Sequence, residues 1–347
     1  MLSDEAPLPG EFHMNINSLK DAARTVANIH IRGSLPDIAV FATPRGGSTW
    51  FMELLATQPW VKFYDEPFNI RRRNVKKTGL FSDWADIMPD TANRKQLTDY
   101  LEDLRTGKYG FMNPAPFRRN YRPFTRRIVF KLHAIEFMAE ELRRRGYLVV
   151  CLLRHPIPTT LSRTVYPRLD YFLRSRYYAE KYFDPDTHRK IVDRAERGSK
   201  LERGVISWCF ENIDLLAGQG SSRFLCVTYE ELVCNAAAVT RKLGTDLALP
   251  NVGVMEEYSS RPSVNIALSG ETTNQAIFAR EELNRQRYLI MRWKKRVSEM
   301  EEQDAMSVLQ DFGIDAYNTN SCFPADRYLL AHDETRKYFE HIAASIS

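Results

Sequence analysis

Apolar positions along this chain fall into short, dense runs separated by longer amphipathic stretches. Runs at 38–42, 60–64, 128–133, 147–153 and 224–228 have the length of strands. The run at 147–153 is almost wholly apolar, the signature of a central parallel strand covered on both faces. Between the runs the period changes to that of helices. Such stretches follow residue 50 and fill 82–88, 91–105, 136–145 (stopped by Gly146), the segment after Pro156, 170–220 and 281–309. Strands alternating with helices predict a three-layer α/β/α fold around a mainly parallel sheet. Residues 1–35 read as an N-terminal arm, with weak helical character over 15–30 broken by Gly33 and Pro36. Residues 36–347 read as one domain, with no internal repeat or linker. The stretches 107–127 and 250–275 lack periodicity and read as long loops.

Composition narrows the picture modestly. The chain has 347 residues, 44% hydrophobic and 27% charged, with a net charge of +5. That suits a soluble globular protein with anionic small ligands. Nucleic acid is disfavoured, because the basic residues are scattered among 44 acidic ones. Five cysteines show no metal-ligand spacing, and Cys151 and Cys226 sit in apolar runs, so buried thiols in a reducing compartment are expected. Residues 1–35 hold no run suited to a signal peptide or membrane anchor. The expectation is a cytoplasmic protein without a transmembrane segment and without a metal; a homodimer stays open.

Candidate chemistry concentrates at strand ends. Thr43-Pro44-Arg45-Gly46-Gly47-Ser48-Thr49-Trp50 links the first core strand to a helix. Glycines, hydroxyls and a helix start make a phosphate cradle, and Arg45 adds charge. Against the pattern G-x-x-x-x-G-K-[ST], Gly47 and Thr49 fit. Ala42 replaces the first glycine and Ser48 the lysine, which argues against a nucleoside triphosphate. The second strand runs into Asp65-Glu66-Pro67-Phe68-Asn69, and Glu66 either acts in the site or pairs with neighbouring arginines. The cations of 71–77 read as a solvated loop or as contacts for an acidic or polyhydroxylated substrate. Lys131 and His133 share one face of a strand. Arg154 leaves the central strand and Ser162 follows eight residues on, a second phosphate site on the same sheet edge.

With both sites in place, the sequence resembles the sulfotransferase family, whose donor is 3′-phosphoadenosine 5′-phosphosulfate and whose fold is of the P-loop NTPase type. The resemblance spans 38–232 and rests on the 43–50 loop and on Arg154-His155-Pro156 through Ser162-Arg163. It implies that Arg45, Gly46, Gly47, Ser48 and Thr49 hold the 5′ side, and Arg154 and Ser162 the 3′-phosphate. Trp50, and Tyr229 in Val227-Thr228-Tyr229-Glu230-Glu231-Leu232, would meet adenine. Lys131-Leu132-His133 resembles the Lys-x-His of cytosolic sulfotransferases, making His133 the base and Lys131, with Arg45, the charge stabiliser. Glu66 and Arg45 look more like carbohydrate sulfotransferases, where the glutamate is the base. The cytosolic Arg-Lys-Gly tripeptide is absent, and Arg261, Ser263, Ser269, Gly270, Thr272 and Thr273 are candidates for its place. The implied activity is sulfuryl transfer to a hydroxyl, foremost of a carbohydrate or glycoconjugate, releasing adenosine 3′,5′-bisphosphate. A small-molecule alcohol or phenol acceptor is the alternative. A P-loop kinase or a non-catalytic nucleotide-binding protein is the reading from another class.

Overall fold

The computed structural model describes residues 16–115, 121–216, 224–261 and 280–344. Its strands are β1 (Ile29–His30), β2 (Ile38–Ala42), β3 (Val61–Asp65), β4 (Phe124–Thr125), β5 (Arg127–Leu132), β6 (Leu148–Leu153) and β7 (Leu225–Thr228). Five of them form one parallel sheet in the order β3-β5-β2-β6-β7, and β1 pairs in parallel with β4 beside it. This is the expected three-layer architecture.

The central position of β2 follows from its side chains, all five of which are buried. Alternation sends Ala39 and Phe41 to one face, with Phe130, Cys151 and Leu153. Ile38, Val40 and Ala42 go to the other, with Val129, Val150 and Val227. The helix Lys200–Leu216 covers the first face through Trp208, Phe210 and Ile213. The helices Ser48–Leu55 and Ala236–Asp246 cover the second through Phe51, Leu54, Val239 and Leu243. Each such side chain contributes about 1.5–3 kcal/mol by leaving water. All five cysteines are free and buried.

Along the chain, strands are added first on the β5 side of β2 and then on the β6 side. The order therefore reverses at β2, and the crevice beyond its carboxyl end is where such sheets bind ligands. The loop 43–47, Glu66, His133, Arg154 and Tyr229 all follow the carboxyl ends of their strands.

Several local expectations change. The stretch read as a loop over 250–275 contains the helix Val252–Ser259. Only Met255 and Tyr258 of that helix are buried, too brief a period to read in advance. The basic run at 71–77 is not all loop: Arg73–Lys77 is a helical turn seated on buried Val75. The pattern over 281–309 divides into the helix Glu282–Met291, a 3₁₀ turn Arg292–Arg296 and the helix Glu299–Asp311. A reciprocal Ser298–Glu301 capping box starts the last of these. Within 107–127 stand a 3₁₀ turn, Gly110–Met112, and β4.

Candidate active site

The loop after β2 is shaped by its backbone. The Gly46 amide donates to the Thr43 carbonyl at 2.9 Å, closing a turn. Asn212 Nδ2 donates to the Thr43 hydroxyl at 2.8 Å and fixes the turn from below. Arg45 and Gly47 take left-handed conformations, with φ of 71° and 90°. Gly47 caps the helix Ser48–Leu55 without a side-chain hydrogen bond, so the first helical amides keep their donors for a ligand. A Cβ at Gly47 would stand 2.7 Å from the Tyr229 ring, so glycine is required for both conformation and space.

Arg154, beyond β6, reaches the same loop. Its Nη1 donates to the Arg45 carbonyl at 3.1 Å, and its guanidinium lies 4.0 Å from the centre of the Tyr229 ring. Trp50 meets Tyr229 edge-on at 5.8 Å. Arg154 Nε and Trp50 Nε1 are buried donors without a hydrogen-bond partner. Ser162 ends the helix Pro156–Leu161, and its hydroxyl donates to the Thr159 carbonyl at 2.8 Å. Arg45, Gly47, Ser48, Thr49, Trp50, Glu66, Lys131, Arg154, Ser162 and Tyr229 all line one cleft of about 1010 Å³.

A charged cluster occupies the β3–β5 end of this cleft. Glu66, left-handed at φ 54°, turns its carboxylate toward Lys131. Its Oε1 lies 2.9 Å from Lys131 Nζ and 3.3 Å from His133 Nε2. Its Oε2 accepts from Asn69 Nδ2 at 2.8 Å and Arg72 Nε at 3.2 Å. Asp65 pairs with Lys131 at 2.9 Å and Arg72 at 2.7 Å. Lys131 Nζ also approaches the Thr49 hydroxyl at 3.4 Å, joining cluster to loop. Burial opposes ionisation of Glu66, but His133, Lys131 and Arg72 together outweigh it and hold the carboxyl well below the usual carboxylate range. His133 is only 5% exposed and stands behind Glu66 rather than in the cleft wall, with neither ring nitrogen in a well-aligned hydrogen bond.

The structure therefore brings together nearly all the residues singled out from sequence. Gly46 contributes its turn rather than a wall, and His133 contacts the site through Glu66. Arg261 reaches the cleft, whereas Ser263, Ser269, Gly270, Thr272 and Thr273 lie outside the described residues. Sequence reading missed a further part of the lining, where Arg285, Tyr288, Arg292, Lys295 and Arg296 face the cleft. The run Arg292-Trp293-Lys294-Lys295-Arg296 was visible only as a charged helix surface. It also missed a buried quartet beneath the site. Arg163 grips Glu211 at 2.8 and 2.9 Å, Arg168 grips Glu136 at 2.8 and 3.0 Å, and Arg168 reaches Glu211 at 3.4 Å.

Fold and site define an α/β protein with a glycine-bearing strand-to-helix loop and an arginine from the neighbouring strand in one cleft at the carboxyl edge of its sheet. No protein-family model matches this chain, and no curated protein matches it significantly. Seven chains of solved structures do match. One is mouse sulfotransferase SULT7A1 complexed with PAP, 12% identical, with a TM-score of 0.40 and 95% of each chain covered. Another is retinol dehydratase in complex with androsterone and inactive cofactor PAP, 13% identical, with a TM-score of 0.22. That alignment covers 94% of this chain and 85% of the other. Similarity this distant assigns no role to any residue.

Proposed function

We propose that this chain is a sulfotransferase that uses 3′-phosphoadenosine 5′-phosphosulfate and a hydroxylated acceptor. The observation that carries the reading is Arg154 seated against the 43–50 loop in one cleft, bonded to the Arg45 carbonyl and lying over the Tyr229 ring. The loop suits a 5′-phosphate group, Arg154 with Ser162 a 3′-phosphate, and Tyr229 with Trp50 a base between them. Two unpartnered buried donors, Arg154 Nε and Trp50 Nε1, fit a polar ligand. The Arg292–Arg296 turn also lines the cleft and adds positive charge to it, an alternative source for what the missing Arg-Lys-Gly tripeptide would supply.

When bound, the donor supplies the sulfuryl group and departs as adenosine 3′,5′-bisphosphate. The acceptor oxygen bonds to sulfur, the bond from sulfur to the 5′-phosphate oxygen breaks, and the hydroxyl proton passes by way of Glu66 to His133 Nε2, leaving Glu66 a carboxylate. Glu66, held ionised, accepts the hydroxyl's hydrogen bond, and His133 Nε2 lies next in line at 3.3 Å. Lys131, 3.4 Å from the Thr49 hydroxyl, and Arg45 offset charge on the departing oxygen. Asp65, Asn69 and Arg72, bonded to Glu66 or to one another, surround that carboxylate with polar groups, which supports a carbohydrate or glycoconjugate acceptor over an apolar phenol.

Calorimetric titration with adenosine 3′,5′-bisphosphate and with ATP–magnesium tests the donor. Tighter binding of ATP–magnesium would sink the sulfotransferase reading in favour of a kinase. Turnover of labelled donor with sugars, glycolipids and phenols tests the acceptor. Glu66→Gln and His133→Ala should each lower kcat by roughly a hundredfold to ten-thousandfold. Near-normal kcat in either variant removes that residue from the base.

A further inference from the structure

The opposite end of the sheet carries a surface that the cleft does not explain. Ile29 pairs with Phe124 across β1 and β4, and both point outward, while His30 and Thr125 point inward and bond at 3.0 Å. Ile31 continues the outward face at 64% exposure. Trp60 joins it: its carbonyl accepts from the Arg126 amide at 2.7 Å, and the Arg126 guanidinium lies 5.5 Å from its ring. Trp60 is 51% exposed and holds φ at 62°. A bulky residue in that conformation is strained, so the exposed indole is retained at an energetic cost. Val26 and Leu35, exposed at 79% and 46%, flank the strand. Clustered apolar side chains of this size mark an interaction site.

We propose that this end of the sheet docks on an anionic lipid bilayer. Charge selects that occupant. Arg126 is exposed and Arg122 is half-buried, and neither makes an ion pair with a described carboxylate, while Arg32 is exposed beside them within the field of Asp37. An apolar face carrying an indole and ringed by arginines suits the headgroup boundary of an anionic membrane. No helix among the described residues is long and apolar enough to cross a membrane, so the contact is a surface one. Trp60 precedes β3, and Glu66 follows its far end, about 16 Å along the strand. Docking therefore leaves the cleft open on the side away from the lipid.

Flotation of the full chain tests this with vesicles of phosphatidylcholine alone and of equal parts phosphatidylcholine and phosphatidylserine. Binding should be confined to the anionic vesicles and weaken with added salt. Trp60→Ala and Ile31→Asp should each weaken it about tenfold or more, with thermal melting and adenosine bisphosphate affinity unchanged. Failure to bind anionic vesicles overturns the proposal, as does binding indifferent to both variants. Binding lost in Lys295→Glu but kept in Trp60→Ala assigns the lipid to the cleft rim and overturns it too. A dimer in light scattering that Ile31→Asp dissociates assigns the face to a second copy and likewise overturns lipid docking.

Discussion

The loop end and the Arg154 end of the cleft are built in opposite ways. The loop end is largely local: residues 43–50 hold their shape through two left-handed residues, one turn hydrogen bond and a helix start, braced from outside by Asn212 and Arg154. The Arg154 end is assembled from distant segments. Arg154 is followed by buried His155, whose Nδ1 accepts from the Ile157 amide at 3.3 Å. The proton then sits on Nε2, which donates to the Ser321 carbonyl at 3.1 Å. The ring stacks on Trp293 at 4.6 Å and meets Tyr317 edge-on at 4.9 Å. Tyr317 donates to Glu230 at 2.9 Å, and Glu230 accepts from the His155 amide at 3.0 Å. A short motif can therefore specify most of one end, while the other depends on the packing of the C-terminal segment.

The largest expected effect breaks the distant end. Trp293→Ala removes the platform under His155, and truncating a buried tryptophan costs roughly 3–5 kcal/mol. Urea unfolding should show that loss, with Trp293→Phe recovering part of it. A wild-type midpoint in Trp293→Ala would mean that the C-terminal segment does not hold this end. The next effect is a pH dependence. Burial, helped by Lys294 and Arg154 and opposed by the Ser321 hydrogen bond, pushes His155 down from 6.5 to about 3. Between those values the unfolded chain binds a proton that the folded chain does not, so stability falls as pH falls through 6.5. At pH 4.5 the loss is on the order of 2–3 kcal/mol. The depressed Glu66 carboxyl loses its contribution as pH falls through its ordinary 4.5, so the two effects overlap below 4.5 and the fall between 6.5 and 4.5 is free of it. The difference between wild type and His155→Gln isolates the histidine, and parallel pH curves would contradict its assignment as buried and neutral.

The same contrast explains what could be read from sequence. β2 and β6 were legible because a parallel strand covered on both faces must be apolar throughout. The loop was legible because its glycines and hydroxyls lie within eight consecutive residues. β1 and β4 were not, since two-residue strands carry no period and their partner is about ninety positions away. The Arg292–Arg296 wall was hidden because a basic run on a helix and one on a cleft look alike until Trp293 finds His155. His133 behind Glu66 was equally hidden, because strand alternation puts it on the face of Lys131 but says nothing of the carboxylate that comes between.

Two substitutions sharpen the local end. Gly47→Ala imposes a left-handed alanine, about 1–2 kcal/mol, and sets a methyl 2.7 Å from the Tyr229 ring. Displacing that ring disturbs the seat of Arg154, so adenosine bisphosphate affinity should fall roughly tenfold, or about 1.4 kcal/mol. Wild-type affinity in Gly47→Ala would refute the claim that the glycine couples the two ends.

The smallest effect separates conformation from charge at Arg45. Its φ of 71° costs any residue with a Cβ, and its guanidinium offers charge to the ligand. Arg45→Ala and Arg45→Gly lose the same charge, so both should weaken adenosine bisphosphate binding equally in calorimetry. Only glycine escapes the left-handed penalty, although its unfolded chain is freer and returns part of the gain. Arg45→Gly should therefore be the more stable of the two by about 1 kcal/mol or less in urea unfolding. Equal stabilities would mean that the turn relaxes when the arginine is lost. The left-handed backbone at 45 would then depend on the Arg45 side chain rather than on the Thr43–Gly46 turn.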